Sequence, residues 1–193
     1  MGQFAVVDHL CGMRDTLAAD DIAAAVVAQA AAGDMAALEQ IVARYHDDMA
    51  RVCVVVCGGD ADLAQDAVQS AWPIVWRKLG TLRESGHLRA WLLTVAANQA
   101  RQLLRQRRRR SVVELDIAFV ESGREDPADS IRSVDLRAAM RRLDPDDRTL
   151  LALRYVAGFD SAELGQAMGM SPSGVRSRLE RLIARLRRDL GDD

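Results

Sequence analysis

Apolar residues recur every three or four positions along most of this chain, the spacing that places them on one face of an α-helix. In the first half, this spacing predicts helices over about Asp20–Ala32, from a cap at Asp34 to Val56, from Asp60 or Asp62 to Leu79, and over His87–Arg110. Pro73 lies within the third of these helices, where it forfeits a backbone hydrogen bond and is expected to kink the helix. The first half is therefore predicted to be a group of helices around one core.

The second half contains a more specific pattern, two helices joined by a tight turn. Asp160 and Glu163 have the spacing of a capping box at the start of the first of these helices. Gly169 suits the left-handed position that ends it, and Ser171 followed by Pro172 is a typical start for the second. Because the second helix is rich in arginine, the pattern predicts a helix–turn–helix that inserts into the DNA major groove.

Two further helices are predicted before the helix–turn–helix, over about Ser130–Leu143 and from the acidic cap at Asp144 to Val156. The acids of the sequence Asp-Pro-Asp-Asp at 144–147 complement the dipole at the start of the second of them. The segment 111–129 lacks a helical period and contains Gly123 and Pro127, so we interpret it as a linker.

Composition supports an all-α fold. Of the 193 residues 49% are apolar, only 4% are aromatic, and the chain holds 13 glycines and 4 prolines, which disfavours a β-sandwich. We therefore predict two small helical domains joined by a flexible acidic linker, with the helix–turn–helix in the second domain. The predicted divisions are an N-terminal extension over 1–19, a first domain over 20–110, the linker over 111–129 and a second domain over 130–193.

The charge of the chain is strongly segregated, although its net value is only −2. Residues 99–110 hold six arginines and no acid, and residues 174–188 hold six arginines against Glu180. Between them, residues 111–129 hold six acids against Arg124. This distribution predicts two basic surfaces separated by an acidic segment, and basic surfaces of this kind suit nucleic acid.

The sequence carries no pattern typical of an enzyme, a cofactor site or a targeting signal. It has no glycine-rich phosphate loop, no nucleophile motif and no metalloprotease pair, so we expect no catalytic residues, no cofactor and no bound metal. No apolar run approaches a membrane span, so we expect a cytoplasmic protein, without membrane insertion, whose three cysteines are reduced.

Three stretches resemble bacterial RNA polymerase sigma factors of the extracytoplasmic-function (ECF) subfamily of the sigma-70 family. Asp60–Trp72 is similar to the helix with which that family binds core polymerase. Leu88–Asn98, continuing into the arginine cluster, is similar to its segment that melts the promoter and reads the −10 element. Leu143–Leu186 is similar to its domain that reads the −35 element.

The resemblance implies a factor that binds core RNA polymerase through the β′ and β subunits, recognises promoter DNA and is held inactive by an anti-sigma protein. The residues implied in polymerase binding are Asp62, Asp66 and Gln69. Those expected at the −10 element are Thr81, Ser85, His87, Asn98, Arg101, Gln102, Arg105, Arg107 and Arg108. Those expected at the −35 element are Ser173, Arg176, Ser177, Arg178, Arg181 and Arg185.

The residue types suit these roles. Asn98 and Gln102 have amide groups that could hydrogen-bond a base that has left the stack, and the arginines around them would neutralise phosphates. Arg176, near the start of the recognition helix, is the best placed for a bidentate contact with guanine.

Alternative hypotheses remain at this point. The chain could be a self-sufficient dimeric helix–turn–helix regulator whose first domain mediates dimerisation, or a protein that titrates a regulator without touching DNA. Cys53 and Cys57 lie four residues apart on one helix and could bind a metal with His9, Cys11 or His46, or sense redox state. The apolar run that contains them favours two small buried side chains instead.

Overall fold

A computed structural model describes residues 22–82, 87–113 and 131–191, and every regular element in these ranges is helical. The N-terminal extension, most of the linker and Ser85 lie outside the described residues. The first domain consists of α1 (Ala24–Ala31), α2 (Met35–Val56), α3 (Ala61–Lys78), a 3₁₀ turn (Leu79–Thr81) and α4 (Leu88–Val113). The second consists of α5 (Ile131–Arg141), α6 (Pro145–Leu151), a π-helical segment (Ala152–Val156), α7 (Ser161–Met168) and α8 (Pro172–Asp189).

Helix starts lie where the capping residues predict them. Asp34 accepts hydrogen bonds from the backbone of Ala36 and Ala37 at the start of α2, and Asp60 accepts one from Leu63 at the start of α3. At α7 the full capping box is present, since Asp160 accepts from the Glu163 backbone while the Glu163 carboxylate accepts from the Asp160 backbone. Ser171 caps α8 by accepting from Gly174.

The turn between α7 and α8 depends on two glycines. Gly169 has φ +66° and ψ +38°, the left-handed conformation predicted for the end of α7. Gly165, inside α7, lies so close to the following turn that a Cβ atom there would be 2.6 Å from the carbonyl oxygen of Met170. The turn can pack this closely against α7 because Gly165 has no side chain.

Several predicted boundaries differ from the structure. Ile22 and Ala23 are not helical, and α1 begins at Ala24 without a capping side chain. Helix α4 continues to Val113, past the predicted end at Arg110. The helix predicted to reach Val156 is α-helical only to Leu151 and then widens into the π-helical segment. Helix α3 runs through Pro73 without interruption, and Pro73 lies on its exposed face.

The core is shared between the two domains. In the first domain Ile41, Tyr45 and Met49 of α2 are completely buried against α3 and α4. The same cluster of buried side chains continues into the second domain through Leu150, Leu151 and Val156. Helix α6 and the π-helical segment pack on α2, and α6 also packs on α4, so the two domains contact one another directly. Within the described ranges, no helix is long and apolar enough to cross a membrane.

Candidate nucleic-acid interface

The basic part of α4 presents polar side chains along one face. Asn98, Arg101, Arg105 and Arg108 follow one another at intervals of three and four residues, so they share that face of the helix. Asn98, Arg105 and Arg108 are exposed, and Arg101 is half-buried. Arg101 donates a hydrogen bond to the Asn98 amide oxygen over 3.1 Å, so the structure brings these two predicted −10 residues together.

Two other predicted −10 residues on α4, Arg107 and Gln102, lie outside this face. Arg107 pairs with Asp60, the capping residue of α3, at 2.7 Å, so it fastens α4 to the start of α3. Gln102 is exposed, beside the face that carries Asn98 and Arg101.

The predicted loop residues lie at the N-terminal end of α4 or before it. Thr81 is exposed, but its hydroxyl donates to the Lys78 carbonyl over 2.7 Å and so stabilises the local turn. His87 is exposed immediately before α4, and Ser85 is outside the described residues. His87 lies about three helical turns before Asn98 along α4, so these two residues do not meet in one pocket.

The residues predicted to bind polymerase lie on the outer face of α3. Asp62, Asp66 and Gln69 are all exposed on that face. It continues through Pro73 to Trp76, which is 39% exposed and one of two large hydrophobic side chains on the described surface. Intervals of four and three residues separate these five positions, the spacing of a coiled-coil seam. Trp76 is absent from the residues predicted to bind polymerase, although its position seven residues after Gln69 places it on the same face of the helix.

The recognition helix α8 presents its predicted DNA contacts to solvent with one exception. Ser173, Arg176 and Ser177 are exposed near its start, and Arg181 and Arg185 are exposed further along it. Arg178 is different, because its Nε and Nη2 atoms lie 2.7 and 2.6 Å from one carboxylate oxygen of Asp147 in α6. Arg178 therefore joins the recognition helix to the rest of its domain.

An open groove of about 500 Å³ runs along α8 between Arg176 and Arg187. Arg154, Arg176 and Arg187 contribute three guanidinium groups to its lining, and Glu180 contributes one carboxylate. Arg154 is fixed there, since it donates to the Phe159 carbonyl over 2.7 Å. Arg154 is not among the residues predicted to bind DNA, because it precedes the helix–turn–helix in the sequence and reaches this groove only through the fold.

The acidic cap before α6 lies where it is predicted, but its acids also make contacts outside their own helix. Asp144 occupies the capping position, but its side chain accepts no capping hydrogen bond and lies 3.8 Å from Arg108 of α4. Asp146, in the first turn, pairs with Arg101 of α4. Asp144 and the acids of the first turn therefore lie at the start of α6 as predicted, and tertiary packing also brings Asp144 and Asp146 to the basic helix α4.

Cys53 and Cys57 face the interior, and both are buried free thiols. Burial raises the pKa of both, and that of Cys57 reaches about 12. A thiol that keeps its proton is a poor nucleophile and a poor metal ligand. Among the residues that the structure describes, no group of three or more His, Cys, Asp or Glu side chains is arranged to hold a metal ion.

Comparison with known proteins matches both halves of the chain. The family model "Sigma-70 region 2" matches residues 41–110, and "Sigma-70, region 4" matches residues 133–186. The RNA polymerase sigma factor CarQ of Myxococcus xanthus is 33% identical over 132 residues, which are 67% of this chain and 76% of that protein. The ECF RNA polymerase sigma factor BldN of Streptomyces coelicolor is 30% identical over 174 residues, 87% of this chain and 66% of that protein.

A solved structure has the same fold. It is the sigma factor RpoE of Bartonella quintana in complex with the anti-sigma factor NepR, with a TM-score of 0.69, 22% identity, and coverage of 81% of this chain and 98% of that chain.

The fold defines an all-helical protein, within the described residues, whose second domain contains a helix–turn–helix. The chain belongs to the sigma-70 family, as an ECF sigma factor that directs transcription initiation by RNA polymerase. Sigma factors are not catalytic. Family membership also decides against the alternative of a self-sufficient dimeric regulator.

Proposed function

We propose that the chain divides promoter recognition between its domains. The first domain, residues 20–110, binds core polymerase and the −10 element, and the second, residues 130–193, binds the −35 element. The observation that carries this proposal is the presence of three separate polar faces, an acidic one on α3 and basic ones on α4 and α8.

The outer face of α3 is the proposed polymerase-binding surface. Its exposed Asp62, Asp66 and Gln69 supply negative charge and hydrogen-bonding groups, and the heptad-like spacing suits a coiled coil as the partner. The β′ subunit would offer that coiled coil, as the resemblance implies.

The face of α4 that carries Asn98 and Arg101 is the proposed −10 surface. The Asn98 amide is fixed by Arg101 and could read the edge of an unstacked base. Arg105 and Arg108 supply exposed charges for backbone phosphates, which increase affinity without reading sequence.

The start of α8 is the proposed −35 surface. Arg176 is exposed there, beside Ser173 and Ser177, at the end of a recognition helix that usually reaches base edges. Arg181 and Arg185 would contact phosphates. Arg178 is removed from the direct contacts in this proposal, because its guanidinium is paired with Asp147.

We also propose an anti-sigma protein as a partner and the cytoplasm as the location. Support comes from the related fold of RpoE, which was solved with an anti-sigma factor, and from the need of any sigma factor to meet RNA polymerase and DNA.

Run-off transcription tests the proposed function. The template is the DNA upstream of the gene for this chain, and the reaction is run with core polymerase alone, with the chain alone and with both. We expect a discrete transcript only with both. Tight binding of the isolated chain to a palindromic duplex as a dimer, without any such transcript, would contradict the proposal.

The variant Asp66→Arg tests the polymerase-binding face. Reversal of one exposed charge should weaken binding to core polymerase while the thermal unfolding of the chain stays unchanged. Asp47→Arg, on the exposed side of α2, is the matched control and should bind polymerase normally. Unchanged affinity of Asp66→Arg would remove this residue from the interface.

A further inference from the structure

The outer face of the recognition helix carries one acid. The residues that share this face are exposed and follow one another at the spacing of a helix surface, and they are Ser173, Arg176, Ser177 and Glu180. The only other acid in α8 is Asp189, its last residue. A carboxylate on a surface that meets DNA is unfavourable by charge alone, because phosphates repel it. Glu180 therefore needs a reason of its own.

Glu180 differs from the other acids that lie on or against α8. Asp147 is 2.6 Å from Arg178, and Asp189 is 4.0 Å from Arg185, so each of these acids has an arginine partner. Glu180 lies one helical turn after Arg176, yet neither a hydrogen bond nor an ion pair holds it among the residues that the structure describes. Its carboxylate keeps its full capacity to accept hydrogen bonds from a molecule that approaches α8 from outside.

The chemistry of a carboxylate selects one base. An ionised carboxylate accepts hydrogen bonds and donates none, so in the major groove it suits the amino groups of cytosine and adenine. Adenine presents the acceptor N7 beside its amino group, and a carboxylate has no donor to offer it. Cytosine presents its N4 amino group alone, which makes it the base that glutamate pairs with.

The position of Glu180 on the helix relates that base to a second one. Arg176 and Glu180 are four residues apart, which is about 6 Å along the axis of α8. Successive base pairs are about 3.4 Å apart along DNA, so the two side chains would contact base pairs one or two steps apart. Arginine pairs best with guanine in the major groove. The face therefore suits a guanine and a cytosine close together.

We propose that Glu180 is a specificity-determining residue of the −35 contact, which selects cytosine by accepting a hydrogen bond from its N4 amino group, one or two base pairs from the guanine that Arg176 contacts. The inference rests on the proposed role of α8 at the −35 element. It adds discrimination to that role. The arginines that contact phosphates raise the affinity for every sequence, whereas Glu180 lowers the affinity for sequences that offer its carboxylate no donor.

The test is a selection of DNA by the complete polymerase. Core polymerase with the full chain is mixed with duplexes of random sequence, the heparin-resistant complexes are recovered, and the bound DNA is sequenced. The wild-type chain is compared with Glu180→Gln, which has nearly the same shape and lacks the charge. Asp135→Asn, an exposed change on α5, is the control with the same change in net charge.

We expect the wild-type chain to enrich an upstream element with a cytosine one or two base pairs from a guanine. In Glu180→Gln the preference for that cytosine should fall about tenfold and adenine should gain, because a glutamine amide pairs with the N6 and N7 of adenine. The other positions of the element should keep their preferences, and Asp135→Asn should select the wild-type element. An unchanged cytosine preference in Glu180→Gln would overturn the inference. So would tighter binding of every sequence alike, since Glu180 would then act only by repelling phosphates.

Glu180→Ala supplies a second measurement. Alanine has no hydrogen-bonding group, so this variant should lose the cytosine preference without gaining adenine. The midpoint of thermal unfolding should not change in either variant, because Glu180 is exposed and holds no partner in the chain. A cytosine preference that survives in Glu180→Ala would assign the selection to another residue and overturn the inference.

Arg176→Ala judges the proposed function separately. If this variant loses the guanine preference while Glu180→Gln keeps the cytosine preference, α8 still reads the −35 element and only the role of Glu180 fails. If Arg176→Ala and Glu180→Gln both select the wild-type element, or if the wild-type chain enriches no upstream element, the proposed role of α8 fails and the inference fails with it.

Discussion

One carboxylate oxygen of Asp147 in α6 lies 2.7 Å from Arg178 Nε and 2.6 Å from Arg178 Nη2. This ion pair joins the recognition helix α8 to α6. The Asp147 side chain is only 14% exposed. We expect Arg178→Ala and Asp147→Ala each to lower the free energy of unfolding by about 1 kcal/mol, because a charge-assisted pair is lost. Chemical denaturation of the full chain measures the change.

The double variant Arg178→Ala/Asp147→Ala decides whether the two residues act together. Its free energy of unfolding should lie close to that of each single variant, since the second change removes nothing further. Arg181→Ala is the control on the same helix, and as an exposed change it should alter stability by less than about 0.5 kcal/mol. Strictly additive losses would show that the pair contributes nothing as a pair.

Two physical effects act in opposite directions on the stability of a Gly165→Ala variant. Helix propensity favours alanine over glycine by about 1 kcal/mol inside a helix, so Gly165→Ala would ordinarily stabilise α7. Here a Cβ atom would lie 2.6 Å from the Met170 carbonyl oxygen, which belongs to backbone and cannot move aside. We therefore expect Gly165→Ala to destabilise the chain by about 2 kcal/mol, as overpacked positions do.

Gly169→Ala is the comparison for that variant. Nothing lies within 4 Å of a Cβ atom at Gly169, so only its left-handed backbone opposes a side chain. That conformation costs alanine about 1 kcal/mol. Thermal unfolding should rank Gly165→Ala as the less stable of the two, and a stabilised Gly165→Ala would show that the turn relaxes.

Local signals in the sequence predicted most of the fold. Asp34, Asp60, Asp160 and Ser171 cap helices within three residues of themselves, so the information that specifies each start is contiguous in the chain. The recognition helix could be predicted for the same reason. Helix ends were less accurate, because the change to a π-helix at Ala152 has no comparable local marker.

Pairings between distant segments could not be predicted. Arg101 and Asp146 are 45 residues apart, and their contact depends on how one domain packs on the other. From the sequence alone, the acids at 144–147 are predicted to stabilise the start of their own helix, and the arginines of α4 are predicted to bind DNA. Both interpretations used the right residue types and missed that these residues meet one another.

Trp76 is expected to contribute to polymerase binding. It extends the exposed face of α3 beyond Gln69 and presents an apolar surface at the spacing of a coiled-coil seam. Tryptophan is enriched among residues that dominate binding energy, where truncation costs about 2 kcal/mol or more. We expect Trp76→Ala to weaken the affinity for core polymerase roughly tenfold or more, measured by fluorescence anisotropy of the labelled chain.

Met35→Ala is the matched control for that measurement. Met35 is the other large hydrophobic side chain on the described surface, 57% exposed at the start of α2 and not on α3. Its truncation should leave polymerase affinity unchanged. Equal affinities of the two variants and the wild-type chain would limit the interface to the polar end of α3.

The buried thiols make stability sensitive to alkaline pH. Burial holds the pKa of Cys57 at about 12 in the folded chain and that of Cys53 higher still, whereas an unfolded thiol has a pKa of about 8.5. The folded state therefore retains protons that the unfolded state releases. The resulting contribution to stability is complete below about pH 8.5 and is lost progressively as the pH rises from there toward 12.

Urea denaturation at pH 7.5 and at pH 10 measures this effect. The free energy of unfolding should fall more between these pH values for the wild-type chain than for Cys53→Ala/Cys57→Ala, since both proteins share every other titrating group. An equal loss in the two proteins would mean that the thiols are accessible to solvent and ionise in the folded chain.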